Sequence, residues 1–235
     1  MGPAERRCVV LFDLDGTLVE SADGSPSAGL LAMNEAARRL TGRAELGDPR
    51  EFAGRTDLQI ARLLLAAGGV SSPTPDAVAA LIDIYVAELE RLIAVRPYGA
   101  LGDPRGAVAA LDRLGAISGL GTGNVPRGAA LKLESAGIAD LFDLALGGYG
   151  DDGDERAEVL RRGARRCDPT GLLPVIIVGD TPRDVEAARG IGAPCVGVPF
   201  KNNTAEVLFR AGAQVVVPEV DVGLARVISE LLAGF

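Results

Sequence analysis

The chain has 235 residues, enough for one large domain or two modest ones around a substantial core. Its 32 acidic against 24 basic residues leave a formal charge of −8, which argues against a nucleic-acid partner, because that role needs a basic footprint. There is no His, which removes Ser–His–Asp and Cys–His catalysis and HExxH zinc sites, leaves proton transfer to carboxylates, Tyr, Lys or Cys, and points any metal site toward oxygen ligands and Mg²⁺.

The opening Met1–Arg7 is polar, so no signal peptide is expected, and no apolar run is long enough to span a membrane. Cys8, Cys167 and Cys195 sit among apolar residues and read as buried thiols of a reducing cytoplasm. None of them begins a CxxxxxR phosphate loop.

Cys8–Phe12 is a short apolar run of the kind a buried parallel strand shows. Asp13, Asp15, Gly16 and Thr17 follow at its carboxyl end. A plain strand-to-helix turn needs only one acid and a Gly, so a second acid calls for a chemical reason. Ser21–Ser27 reads as a loop. Three helical stretches come next: Gly29–Leu40, a second from about Leu58 with Thr56 or Asp57 as N-cap, and Pro75–Val95. Gly47–Arg50 separates the first two. This much helix exceeds what a βα crossover needs. Residues 20–95 are therefore expected to form an inserted helical domain, hinged at Ser21–Ser27 and Arg96–Gly102.

From Pro97 onward strands and helices alternate. Strands are expected at Ala116–Leu120, Leu141–Leu146, Leu173–Val178, Cys195–Val198 and Gln214–Val217. The helices between and after them are Arg105–Leu114, one opening at Asn124 and Pro126, Asp154–Cys167, Asp184–Gly190, Thr204–Ala211 and Val220–Leu232. The fold class is α/β: a Rossmann-like parallel sheet core, residues 1–19 and 96–235, carrying an α-helical cap at 20–95.

Three strand ends carry polar residues that the fold alone does not require. They are Asp13 and Asp15, then Thr122, Gly123 and Asn124, then Asp180 and Asp184. All are carboxyl ends, so all lie along one edge of the sheet. If the first strand lies between the Ala116 and Leu173 strands, Asp13 and Asp180 face each other across the crevice. Converging carboxylates repel, and a divalent cation with a substrate phosphate oxygen resolves that. Thr122 and the helix start after it suit an anion. In the inserted segment, Arg55 beside a helix start is a further candidate for an anionic substrate, with a solvated charge as the plain alternative. Arg161, Arg162, Arg165 and Arg166 read as a wet helix face.

FDLDGTLV, the Thr122 strand end and GDTPRD together resemble the haloacid dehalogenase-like (HAD) hydrolases. The helical insertion is similar to the phosphoglycolate phosphatase and β-phosphoglucomutase branch with a C1 cap. The resemblance implies that Asp13 is the nucleophile forming an aspartyl-phosphate and Asp15 the acid and then the base. It also implies that Asp13, the Asp15 carbonyl and Asp180 hold Mg²⁺, with Asp184 a ligand or an anchor. Thr122, with Gly123 and Asn124, would bind the phosphoryl group. The family's usual lysine between the third and fourth strands is absent, since the chain's two Lys, Lys132 and Lys201, lie elsewhere. Arg156 is the expected substitute, and TGNVPRGAALKLESAG with DERAE is similar to a subgroup that uses Arg there.

The implied activity is hydrolysis of a small phosphorylated metabolite by a cytoplasmic monomer, with no nucleic-acid or membrane partner. A phosphosugar mutase would share every core residue. A haloacid dehalogenase would lack an acid at the Asp15 position. A phospho-aspartate receiver would be about half this length and would need no lid.

Overall fold

The computed structural model describes residues 7–22, 26–43 and 52–234. The helix break expected at Gly47–Arg50, nearly all of Met1–Arg7 and part of the Ser21–Ser27 loop lie outside these.

The framework is a five-stranded parallel sheet. β1 (Cys8–Phe12) sits between β4 (Ala116–Leu120) and β5 (Val175–Gly179), and β6 (Cys195–Gly197) and β7 (Val215–Val216) extend the sheet beyond β5. β1 is wholly buried, so both of its faces must be covered. Cys8, Val10 and Phe12 face one layer, with Leu111 of α4 (Pro104–Leu114), Leu133 of α5 (Pro126–Ser135) and Ile228 of α9 (Leu224–Leu232). Val9 and Leu11 alternate to the other layer, with Leu160 of α6 (Arg156–Cys167), Val185 of α7 (Pro182–Gly190) and Leu208 of α8 (Ala205–Ala211). The two-residue period of the strand thus supplies both halves of the core. All three cysteines are free and buried.

Between the sheet's first two strands in sequence lies the helical cap. α1 (Ala28–Thr41), α2 (Asp57–Ala67) and α3 (Pro75–Ile93) are capped by Ser27, Thr56 and Thr74. Thr56 forms a reciprocal capping box with Gln59, which decides between the two expected N-caps. Buried Glu88 of α3 pairs with Arg39 of α1 and with Arg91, tying the first and third helices together.

Two expectations need correcting. Two short strands were not expected: β2 (Val19–Ser21), ending where the Ser21–Ser27 loop begins, and β3 (Tyr98–Ala100), within Arg96–Gly102, form an antiparallel ribbon at the root of the cap. Each is only three residues long, below what alternation can reveal. Leu141–Leu146 is not a strand; two single 3₁₀ turns, at Ala139–Leu141 and Leu144–Leu146, occupy it. The Asp143 side chain accepts from the Ala145 N–H and draws the backbone into a turn. The segment packs beside β4 without joining it, and its backbone hydrogen bonds there are made at Gly148, with Leu120 and Thr122.

Other boundaries move by a few residues. The last helix begins at Leu224, not Val220, and the helix expected from Asp154 begins at Arg156. No helix among the described residues is long and apolar enough to cross a membrane.

Candidate active site

The parallel register sets the site. Phe12 is level with Leu120 of β4 and Val178 of β5, so β1 and β4 end together and β5 one residue later, at Gly179. Asp13 leads from β1, with its N–H still donated to the Val178 carbonyl. The Leu14 carbonyl then accepts from the N–H groups of Thr17, Leu18 and Val19, coiling the segment into a tight turn. Gly16 allows it: its φ is +85°, and a Cβ there would lie 2.6 Å from Asp180 Oδ2.

Carboxylate oxygens of Asp13, Asp180 and Asp184, all buried, lie within 4.8 Å of one another. Arg156, at the first turn of α6, reaches into this cluster. Its Nη2 donates to Asp13 Oδ1 at 2.5 Å and to Asp184 Oδ1 at 2.7 Å. Arg156 Nε is buried without a partner. Burial alone would weaken the guanidinium's hold on its proton, but Asp13 and Asp184 outweigh it and keep it charged.

Asp184 is fully engaged. Its Oδ2 accepts from the N–H and hydroxyl of Thr181, the N-cap of α7, while Oδ1 takes Arg156. The helix-capping role of this acid and its place in the site are therefore both real. It is better suited to anchoring Arg156 than to ligating a cation.

Asp180 is the opposite case. It is 3% exposed, and its side-chain donor is a distant one, the Thr17 hydroxyl at 3.5 Å, with its own backbone N–H adding a little. Burial, then Asp13 and Asp184, push its pKa well above the usual carboxylate range. Asp13, buried as well but helped by Arg156, rises to about 6. A buried carboxylate with this little compensation wants a cation. The residues fit one: oxygen-only donors from two strand ends, open toward a cavity.

Asp15 lies outside the carboxylate triad, with its side chain 44% exposed. Its Oδ2 accepts from Asn124 Nδ2 at 2.8 Å and from Lys132 Nζ at 2.6 Å. Asn124 Nδ2 also donates to the Thr122 hydroxyl oxygen at 2.9 Å, and Lys132 donates to Asn124 Oδ1 at 2.6 Å. Thr122, fully buried, is thereby linked to Asp15 through one amide. Gly123 is required by closeness: a Cβ there would lie 2.3 Å from the Arg55 carbonyl.

The cap closes over this floor. Arg55 lines the shared cavity of about 550 Å³, together with Leu30, Met33, Phe52 and Tyr85 of the cap. The Asp57 N–H donates to the Gly123 carbonyl, and Arg183 of the core donates to the Ala53 carbonyl. Arg62 and Gln59 of α2 reach Asp154 of the core.

Two residues escaped the sequence reading. Lys132 was set aside because it is not between the third and fourth strands, yet it is buried on α5 beside Asp15. The signal was available: a lone Lys flanked by Ala129–Leu131 and Leu133, on a helix whose other buried residues are apolar or Gly. Asp57 was weighed only as an N-cap. It instead caps a different helix, α5, by accepting from the Val125 N–H at 2.8 Å. The anion expected at that helix start is thus supplied in part by the protein itself. The wet helix face is as expected: Arg161, Arg162 and Arg165 are exposed, although Arg166 also braces Asp152 and the Gly147 carbonyl.

The model of the haloacid dehalogenase-like hydrolases matches residues 9–192, which include every strand-end acid above. The chain belongs to that family of enzymes. Among solved structures, it resembles a hydrolase from Pseudomonas syringae at 22% identity, covering 96% of this chain and 99% of that one, with a TM-score of 0.69. A β-phosphoglucomutase from Clostridium difficile is 16% identical over 97% and 98% of the two chains, with a TM-score of 0.71. A predicted phosphoglycolate phosphatase from Haemophilus somnus is 18% identical over 96% and 99%, with a TM-score of 0.68. At these identities the likeness establishes the shared core and helical insertion. No curated protein matches the sequence.

Proposed function

We propose that this hydrolase is a Mg²⁺-dependent phosphomonoesterase acting on a small phosphorylated metabolite, working as a cytoplasmic monomer. The observation that carries the reading is the Asp13–Asp180 pair: buried carboxylates within bridging distance, one braced by Arg156 and the other with no basic partner among the described residues. A bound Mg²⁺ supplies charge neutralisation for the carboxylates and for a phosphoryl oxygen. Asp13, Asp180 and the Asp15 carbonyl are its proposed ligands.

Asp13 Oδ1 is held by Arg156, which leaves Oδ2 to attack phosphorus. The bond to the leaving oxygen breaks with its electron pair, and Asp15 gives that oxygen a proton. Water then attacks the aspartyl-phosphate, losing its proton to Asp15 and freeing Asp13. Arg156, with its spare N–H groups, and Thr122 hold the phosphoryl oxygens in line. Residues 20–95 act as the lid, with Arg55 facing the substrate and closure excluding bulk water.

The presence of Asp15 in the site disfavours dehalogenation, which has no leaving alkoxide to protonate. A screen of phosphorylated metabolites with Mg²⁺, blanked by Asp13→Asn, tests the reading. Phosphate release by the wild type and none by the folded variant is the expected result. Near-normal release by Asp13→Asn would end it.

A further inference from the structure

Asp15 is half-exposed, on a turn and next to a reaction centre, a setting in which a carboxylate rotates freely. Two buried groups prevent that. Lys132, 4% exposed, and Asn124, 5% exposed, both donate to Oδ2, the same oxygen. Among the described residues no donor reaches Oδ1. Lys132 is itself fixed from three directions. It donates to Asn124 Oδ1, and its ammonium lies 5.5 Å from the centre of the Tyr98 ring. Gly29, at the start of α1, packs so closely that a Cβ there would lie 3.4 Å from Lys132 Nζ and 2.9 Å from the Tyr98 hydroxyl. The Tyr98 hydroxyl accepts from the Gly29 N–H at 3.0 Å. The ammonium is therefore walled in by the hinge ribbon, the first cap helix and α5.

We infer that Lys132 is a positioning residue for phosphoryl transfer: it pins Oδ2 of Asp15, so that Oδ1 alone is presented to the leaving and attacking oxygens. This rests on the reading of Asp15 as the acid and base. Burying a lysine costs far more than a surface ion pair returns, and a helix–sheet interface is served as well by Leu or Met at this position. A positional task for a reacting carboxyl explains its presence, since small displacements of a proton donor lower rates steeply.

The test compares two phosphomonoesters of similar shape, p-nitrophenyl phosphate and benzyl phosphate. Nitrophenolate leaves without a proton, whereas benzyl alkoxide needs one. Values of kcat/KM, which stop at phosphoryl transfer to the enzyme, are measured with Mg²⁺ for wild type, Lys132→Met and Asp15→Asn. General acid help is typically worth ~10²–10⁴-fold. We expect Lys132→Met to lower the benzyl value by about 100-fold and the nitrophenyl value by at most a tenth of that factor. An equal fall on both esters means a structural role and overturns the inference, as does no fall on either. Asp15→Asn separates the two readings. If it shows the leaving-group split and Lys132→Met does not, only the Lys132 inference fails. If Asp15→Asn shows no split, the assignment of Asp15 fails as well. Should Lys132→Met not fold, Lys132→Gln is read by the same ratio.

Discussion

Asp57 Oδ2 accepts from the Val125 N–H at 2.8 Å, so a carboxylate of the cap completes the first turn of a core helix that has no side-chain cap of its own. The group is 6% exposed, and burial pushes its pKa up to about 6 from 3.8, with Lys132 opposing. A raised carboxyl pKa favours the protonated form in the folded state. The associated stability is full below about pH 4 and is lost as pH rises through about 6. Asp57→Asn keeps an acceptor for Val125 without a charge. It should match the wild type near pH 4 and exceed it by about 2–3 kcal/mol above pH 6. Thermal melts across that range check this; a Tm difference that does not grow with pH would refute it.

The cap seats against glycine at one further point. A Cβ on Gly123 would lie 2.3 Å from the Arg55 carbonyl and 2.9 Å from Arg156 Nη1. Both neighbours would have to retreat, one of them backbone. Gly123→Ala should therefore hold the cap open and lower kcat/KM by at least about tenfold, about 1.4 kcal/mol of transition-state stabilisation. The melting temperature should fall by only a few degrees. Steady-state kinetics beside a thermal melt separates lost closure from lost fold.

These contacts mark the boundary of what the sequence made legible. β1 and β5 were readable because buried parallel strands are continuous apolar runs, whereas β4, AISGL, was a weak small-residue strand legible mainly from its place in the βα alternation. Their shared carboxyl edge brings Asp13 and Asp180 together provided that β1 lies between β4 and β5, which is the order the sheet has. β2 and β3 were not readable, because three residues carry no period. Leu141–Leu146 misled because an apolar run does not show that Asp143 will bond its own backbone. Within the site, the residues that escaped were Lys132 and Asp57. Their partners lie 117 and 68 positions away in the chain, beyond any local pattern.

Arg156 is the cation on which the acidic floor depends. It is 8% exposed and bonds two buried carboxylates at once. Arg156→Met leaves Asp13 and Asp184 facing each other unpaired, and should cost about 3–5 kcal/mol of stability, the usual consequence of removing one partner from a buried pair. Arg156→Lys keeps the charge and one nitrogen for the two carboxylates, which both bond Nη2, but it loses Nη1 and the planar fork left to hold a phosphoryl group. It should recover most of the stability but little of the turnover. Urea denaturation and initial rates on the two variants check the split. Equal recovery of both would mean that the fork geometry is irrelevant.

Asp180 should behave in the opposite sense to Arg156. Without a cation it is a buried carboxylate helped only weakly, by the distant Thr17 hydroxyl and its own backbone N–H, and it faces Asp13 and Asp184. Asp180→Asn removes that charge while preserving shape, so in chelator the variant should melt higher than the wild type. Mg²⁺ should reverse the order. A ligand that binds only the folded state at 100 times its Kd adds about 2.7 kcal/mol, and the wild type alone has the second carboxylate to receive it. The expected signature is a crossing: Asp180→Asn more stable in chelator, wild type more stable in excess Mg²⁺, with turnover lost in the variant under both conditions. Parallel Mg²⁺-dependent rises in Tm for the two proteins would show that the cation sits elsewhere. An uncompensated buried charge is a poor way to build a stable core and a good way to hold a metal, and the crossing measures both consequences of one side chain.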